Sequence, residues 1–140
     1  MKKPHKKLYA WKAALDLVLA LYSTTDRFPE QERFSLTSQI RRAALSVPSN
    51  IAEGAARQTK KEFINFLHMA QGSLSELDTE LELAKRLGYL AEESWTKLDA
   101  QLERIDKMLS GLIRHLRNSR RSGQETNSHP SRLTPHASRL

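Results

Sequence analysis

The sequence predicts an all-α protein, an antiparallel up-and-down four-helix bundle with a disordered C-terminal tail, and three observations carry that expectation. Apolar residues recur three and four apart through four separate stretches, the spacing of one buried helix face. Only short segments, carrying Pro29, Gly54 and Gly88, separate the stretches, and short connections make consecutive helices antiparallel neighbours. From Asn118 the apolar stripe ends and Ser, Arg, Asn, Gln, His and Pro dominate, a composition that cannot bury enough surface to order itself. The chain therefore divides into a basic arm (1–7), the bundle (8–117) and a disordered basic tail (118–140).

Helix one is predicted from about Leu8 to Arg27. Leu8, Trp11, Leu15, Val18 and Tyr22 form one stripe, and Ala14, Leu17 and Leu21 form a second that widens the face. Phe28-Pro29 ends it, because the residue before a proline is pushed out of helical conformation. Helix two follows the turn around Pro29 to Ser35, with Ser35 as N-cap, and carries Leu36, Ile40, Ala44, Val47 and Ile51. It stops near Gly54 to Arg57, where glycine permits the left-handed conformation of a helix end.

Pro48 lies inside that second stripe. It removes one backbone hydrogen bond and presses on the carbonyl of Ala44, at about 3 kcal/mol in an exposed helix interior. Two arrangements fit: one kinked helix, or two helices with Asn50 capping the second and Glu53 completing a capping-box-like pair. The stripe keeps its phase through the proline, which favours one kinked helix.

Helix three opens on the capping box Thr59-Lys60-Lys61-Glu62. Phe63, Phe66, Leu67, Ala70, Leu74, Leu77, Leu81, Ala84 and Leu87 hold its face, and it ends at Gly88 with Lys85 and Arg86 at the negative end of its dipole. Helix four, about Glu92 to Arg117, carries Trp95, Leu98, Leu102, Ile105, Leu109, Leu112 and Leu116, close to coiled-coil periodicity.

Composition removes several classes of function. Cysteine is absent, which excludes disulfides, thiolate metal sites and cysteine nucleophiles. The segment after the first lysines is interrupted by Lys12 and Asp16 and has no clear cleavage site, so it reads as no signal peptide. No stretch approaches the roughly 18 apolar residues of a membrane span, and the expectation is a soluble, cytoplasmic protein without a membrane partner.

The net charge of +7 is unevenly held. Lys2, Lys3, Lys6 and Lys7 put +4 in residues 1–7; Arg120, Arg121, Arg132 and Arg139 against Glu125 put +3 in residues 118–140; the body between sums to zero. Within the body, base gathers in 33–61 and acid in 62–82. Such a dipolar body can self-associate, although solvated faces paired with neighbours explain the same pattern.

No catalytic chemistry is legible. A carboxylate-bridged di-metal site needs Glu-x-x-His pairs on facing helices, but the residues three before His68 and His115 are Asn65 and Leu112. Ser46, Ser49, His68, His115 and Glu53 supply the residue types of a hydrolytic site without any accompanying motif. The glycines are scattered and make no phosphate-cradling loop. The expectation is therefore a protein that is not an enzyme, with no cofactor, no metal and no small-molecule substrate.

The candidate partner surface is Arg41, Arg42, Arg57, Lys60 and Lys61, and the candidate kink and packing residues are Pro48, Asn50 and Glu53. Adjacent helix residues differ by about 100°, so Arg41 and Arg42 face different ways, and one serves the fold if the other meets a partner. Tyr9, Trp11 and Tyr89 offer faces on which bases stack, but aromatics at helical spacing or helix ends more often pack.

The ordered set Trp11, Phe28-Pro29, Gln39-Ile40-Arg41-Arg42-Ala43-Ala44, Ser46, Pro48-Ser49-Asn50-Ile51-Ala52-Glu53-Gly54, Lys61-Glu62-Phe63 and Leu87-Gly88-Tyr89-Leu90 resembles the bacterial 23S rRNA-intervening sequence proteins over residues 8 to 117. That resemblance implies an up-and-down bundle in ring-like homo-oligomers, with a poorly defined biochemical role. More distantly, through the turn at Arg27 to Pro29, the chain resembles accessory proteins of diversity-generating retroelements, which implies nucleic-acid binding. The expected function is a non-enzymatic, homo-oligomeric accessory protein that binds RNA or DNA. The alternative is a protein-interaction or scaffold module whose basic residues make intersubunit ion pairs.

Overall fold

The computed structural model describes the backbone of residues 1–133 and the side chains of residues 1–119. It contains four long helices, α1 (Tyr9–Thr25), α2 (Leu36–Ala55), α3 (Lys60–Arg86) and α4 (Glu92–Leu133), and no strand among the described residues. Each helix packs on the next and α4 returns to α1, the up-and-down arrangement predicted. No described helix is long and apolar enough to cross a membrane.

The predicted stripes of α2 to α4 supply most of the core. Leu36, Ile40, Ala44, Val47 and Ile51 are all buried, as are Leu67, Ala70, Leu74, Leu77, Leu81 and Ala84 of α3 and Leu98, Leu102, Ile105, Leu109 and Leu116 of α4. In α1 the priority of the two stripes is reversed. Ala14, Leu17 and Leu21 are buried with Ala10 and Thr25, whereas of the first stripe Val18 is buried, Leu8, Trp11 and Leu15 lie at the flank and Tyr22 is exposed.

Pro48 is buried within a continuous α2, so one helix passes through it. Polar side chains flank the proline on the same helix: the Ser46 hydroxyl donates to the Ala43 carbonyl at 2.7 Å and Asn50 Nδ2 donates to the Ser46 carbonyl at 2.8 Å, and neither bond goes to the Ala44 carbonyl that Pro48 leaves without its usual donor. Ser46 also meets Ser73 of α3 hydroxyl to hydroxyl, which ties the proline turn to its neighbour. Glu53 takes no part in these contacts. It is exposed and its carboxylate lies 3.4 Å from Arg57, because its place in the helix points it outward.

Two terminus signals act differently from expectation. Ser35 precedes α2, but its hydroxyl bonds Glu32 at 2.6 Å instead of capping the helix. Gly54 is buried inside α2, and the only positive φ among the described residues belongs to Gly88 (83°). A Cβ on Gly54 would lie 2.7 Å from Phe66 Cβ and 2.9 Å from Phe63 Cδ1, so this glycine is a notch that lets α3 approach.

The other signals are realised. The Glu62 amide donates to Thr59 Oγ1 at 3.1 Å, the N-cap bond of the predicted box, and the Thr59 hydroxyl in turn donates to the Glu62 carboxylate at 3.0 Å. At the far end of α3 the Tyr89 amide reaches the Ala84 carbonyl and the Gly88 amide the Lys85 carbonyl, both at 3.0 Å. That pair of bonds is a Schellman cap, and it needs the left-handed glycine between them.

Both ends of the chain carry helical structure outside the predicted bundle. Residues Pro4–Lys7 of the arm form a 3₁₀ turn that packs against α1 and α2, with His5 edge-on to Trp11 at 4.9 Å. Helix α4 extends past Arg117 to Leu133, since adding a turn to an existing helix is far easier than starting one. Burial by the core nonetheless stops at Leu116 among the residues with described side chains. Of the tail expected to be disordered, residues 118–140, the part 134–140 lies outside the described residues.

Candidate nucleic-acid interface

In an up-and-down bundle of four helices, the starts of α1 and α3 and the end of α2 share a pole, and α4 runs back to it. The arm turn brings Lys6 and Lys7 against α2 at that pole. The turn from α2 to α3 adds Arg57, Lys60 and Lys61, all exposed. Arg114 and Arg117 of α4 complete the set: Lys60 Nζ meets the Ser119 hydroxyl, and Arg117 Nη2 lies 3.4 Å from His68 Nε2.

Acid at this pole is already engaged. Glu53 pairs with Arg57, and the Glu62 carboxylate accepts from the Thr59 hydroxyl. Among the described residues, Lys60, Lys61, Arg114 and Arg117 enter no ion pair. The Arg57 guanidinium also lies over the Phe66 ring, 4.6 Å from its centroid, a cation–π contact. The opposite pole is balanced by short pairs: Arg33 with Glu30 at 3.3 Å, Arg86 with Glu82 at 2.9 Å and Lys97 with Glu93 at 3.6 Å. Tyr89 donates to Glu32 at 2.8 Å and packs on Phe28 there.

Arg41 and Arg42 do not belong to this surface. They precede Arg57 by about four turns of helix, roughly 22 Å along the α2 axis. Arg41 serves the fold: its Nε donates to Thr25 Oγ1 at 2.9 Å, its Nη2 reaches the Tyr22 carbonyl at 3.3 Å and Asp26 at 3.1 Å, and its guanidinium covers the Tyr22 ring at 4.5 Å. Arg42 is exposed on the other flank, toward Glu80 of α3. The five predicted residues thus separate into Arg57, Lys60 and Lys61 at the pole, Arg41 in a helix clamp, and Arg42 beside an acidic pair. Arg114 and Arg117 were missed, and the signal for them is topological: the end of a fourth helix lies beside the start of the third.

The acidic pair is Glu76 and Glu80. Burial, then the neighbouring Glu76, push the Glu80 carboxyl up from 4.5 to about 7, against a smaller opposing pull from Arg42. Its Oε1 is buried without a hydrogen-bond partner. A carboxyl whose pKa is higher folded than unfolded binds a proton on folding, so it penalises the fold above pH 7, and the penalty fades as pH falls from 7 toward 4.5. Part of the group faces solvent, which screens the effect to about 1 kcal/mol. Glu80→Gln should therefore stabilise the protein by about that amount at pH 8 and change little at pH 4.5; urea melts at the two pH values measure it, and equal effects at both would exclude this origin.

Among the described residues no group of three or more His, Cys, Asp or Glu is placed to hold a metal ion. An open cavity of about 510 Å³ lies between α1 and α4, floored by Ala10, Ala13, Met108 and Leu112 and rimmed by Lys12, Asp16 and Arg104.

Comparison with known proteins converges on one family. The family described as 23S rRNA-intervening sequence protein matches residues 6–111. A crystal structure of a protein of unknown function from the S23 ribosomal protein family of Bacteroides thetaiotaomicron is similar to this chain, with a TM-score of 0.67 and 27% identity over 74% of this chain and 97% of that one. No curated protein matches.

Proposed function

The chain belongs to the 23S rRNA-intervening sequence protein family, and from that premise we propose that it is a non-enzymatic, homo-oligomeric accessory protein that binds RNA or DNA through its basic pole. The observation that carries this reading is the convergence of Lys6, Lys7, Arg57, Lys60, Lys61, Arg114 and Arg117, from three separate parts of the chain, while the acids of that pole are engaged internally. Phosphate contacts by such residues supply affinity without sequence information.

Self-association draws on apolar side chains that the single chain leaves exposed on three helices: Leu19 of α1 (69%), Leu45 of α2 (44%), and Met69 (55%) and Leu83 (48%) of α3. Large exposed apolar groups on neighbouring helices favour a protein partner, and Arg42 of α2 beside Glu76 and Glu80 of α3 adds charges of both signs. Light scattering on the full chain should give a mass several times 16.0 kDa. A monomer at micromolar concentration would remove the assembly from the proposal.

Binding is tested by titrating labelled RNA and DNA at several salt concentrations. Phosphate contacts give an affinity that falls linearly in log–log form with added salt. Undetectable binding of single-stranded and duplex forms at low salt would leave the scaffold alternative.

A further inference from the structure

We propose that the cavity between α1 and α4 receives an unpaired base of single-stranded nucleic acid, stacked on Tyr9. This rests on the nucleic-acid reading above and adds which form of nucleic acid is preferred and where it is gripped.

Four observations converge on Tyr9. Its side chain is 78% exposed in the first turn of α1, immediately after the arm lysines. The Lys12 ammonium sits 5.7 Å from its ring centroid, where it can accompany the phosphate of a stacked nucleotide. Beside the ring opens the 510 Å³ cavity, within the range of about 300–1,000 Å³ typical of ligand sites. Small Ala10 and Ala13 and the flexible Met108 floor it, which leaves room for a flat ring, and Asp16 and Arg104 offer an acceptor and donors to base edges.

The other aromatics do not offer such a platform. Trp11 is half-buried against His5, and Tyr89 is held by Glu32 at the opposite pole. Phe34 is 89% exposed but follows the acidic turn Glu30–Glu32. The exposed Tyr22 ring is covered by the Arg41 guanidinium, so among the described residues only at Tyr9 do an open aromatic face, a cavity and a surplus of base coincide. A duplex keeps its bases stacked on one another and cannot use the ring, whereas a single strand can, and an aromatic platform accepts any base.

The test is fluorescence anisotropy with labelled oligo-uridine, oligo-deoxythymidine, an abasic strand of the same length and a blunt duplex. Tyr9→Ala should weaken binding of both base-bearing strands by roughly tenfold or more, Tyr9→Phe should retain it, and Phe34→Ala should leave it unchanged. Neither Tyr9 variant should alter binding of the abasic strand or the duplex. Equal losses on all four oligomers, or no loss on any, would overturn the base site while leaving the basic pole standing. No binding by the parent protein would sink both. A change in the mass of Tyr9→Ala by light scattering, with affinity unchanged, would show that a second copy covers the cavity instead.

Discussion

Gly54→Ala should destabilise the bundle by about 1–3 kcal/mol, although alanine is the better helix former by about 1 kcal/mol. The two effects oppose each other and the steric one wins. The added Cβ would stand 2.7 Å from Phe66 Cβ, an atom fixed to the α3 backbone, and 3.2 Å from the Phe63 carbonyl oxygen. Neither neighbour is the free end of a side chain, so relief requires α2 and α3 to separate along their most extensive contact. Gly72 provides the matched control, because a Cβ there meets nothing within 4 Å. Gly72→Ala should stabilise by about 0.5–1 kcal/mol. Thermal melts of the pair should move in opposite directions, with Gly54→Ala falling by roughly 3–12 °C. Movement of both in the same direction would refute the close approach at Gly54.

The largest functional effect is expected from Arg57→Ala, Lys60→Ala and Lys61→Ala together. If each residue holds one phosphate, their loss should reduce the log–log salt slope of duplex DNA binding by about 2–3 and lower affinity across sequences alike. Arg57 also covers the Phe66 ring, so the triple variant needs a melt to show that the fold survives; the Lys60/Lys61 double variant supplies the cleaner measurement. The arm is best tested by replacing Lys2, Lys3, Lys6 and Lys7 with alanine and not by deletion, since Pro4–Lys7 packs on α1 and α2. A salt slope unchanged by the triple variant but abolished by the arm variant would move the contact surface to the arm.

The bundle was legible because its signals are local. Periodicity within a helix, Thr59 with Glu62, and Gly88 after Lys85-Arg86 each operate within a few residues, and α2 and α3 follow them closely. Helix α1 was harder to phase because Leu8, Trp11 and Leu15 are as apolar as Ala14, Leu17 and Leu21; which stripe is central depends on where α2 and α4 stand. The same limit governs the site. Arg57, Lys60 and Lys61 are neighbours in sequence and were found together, whereas Arg114 and Arg117 join them only through the topology. Gly54 looked like a helix end because glycine usually marks one, and its actual reason, Phe63 and Phe66, lies on another helix.

Arg41 carries a consequence for the order in which the molecule opens. Helix α1 has no basic residue in its last turn, and the carbonyl of Tyr22, the hydroxyl of Thr25 and the carboxylate of Asp26 are all met by a guanidinium from α2. The Tyr22 carbonyl also accepts from the Asp26 amide at 3.1 Å within α1 itself, but the Thr25 hydroxyl oxygen and the Asp26 carboxylate gain the guanidinium only after α2 has docked. The end of α1 and the beginning of α2 therefore form one cooperative unit, and their amide protons should exchange with solvent together, ahead of the α2–α3 pair locked at Gly54.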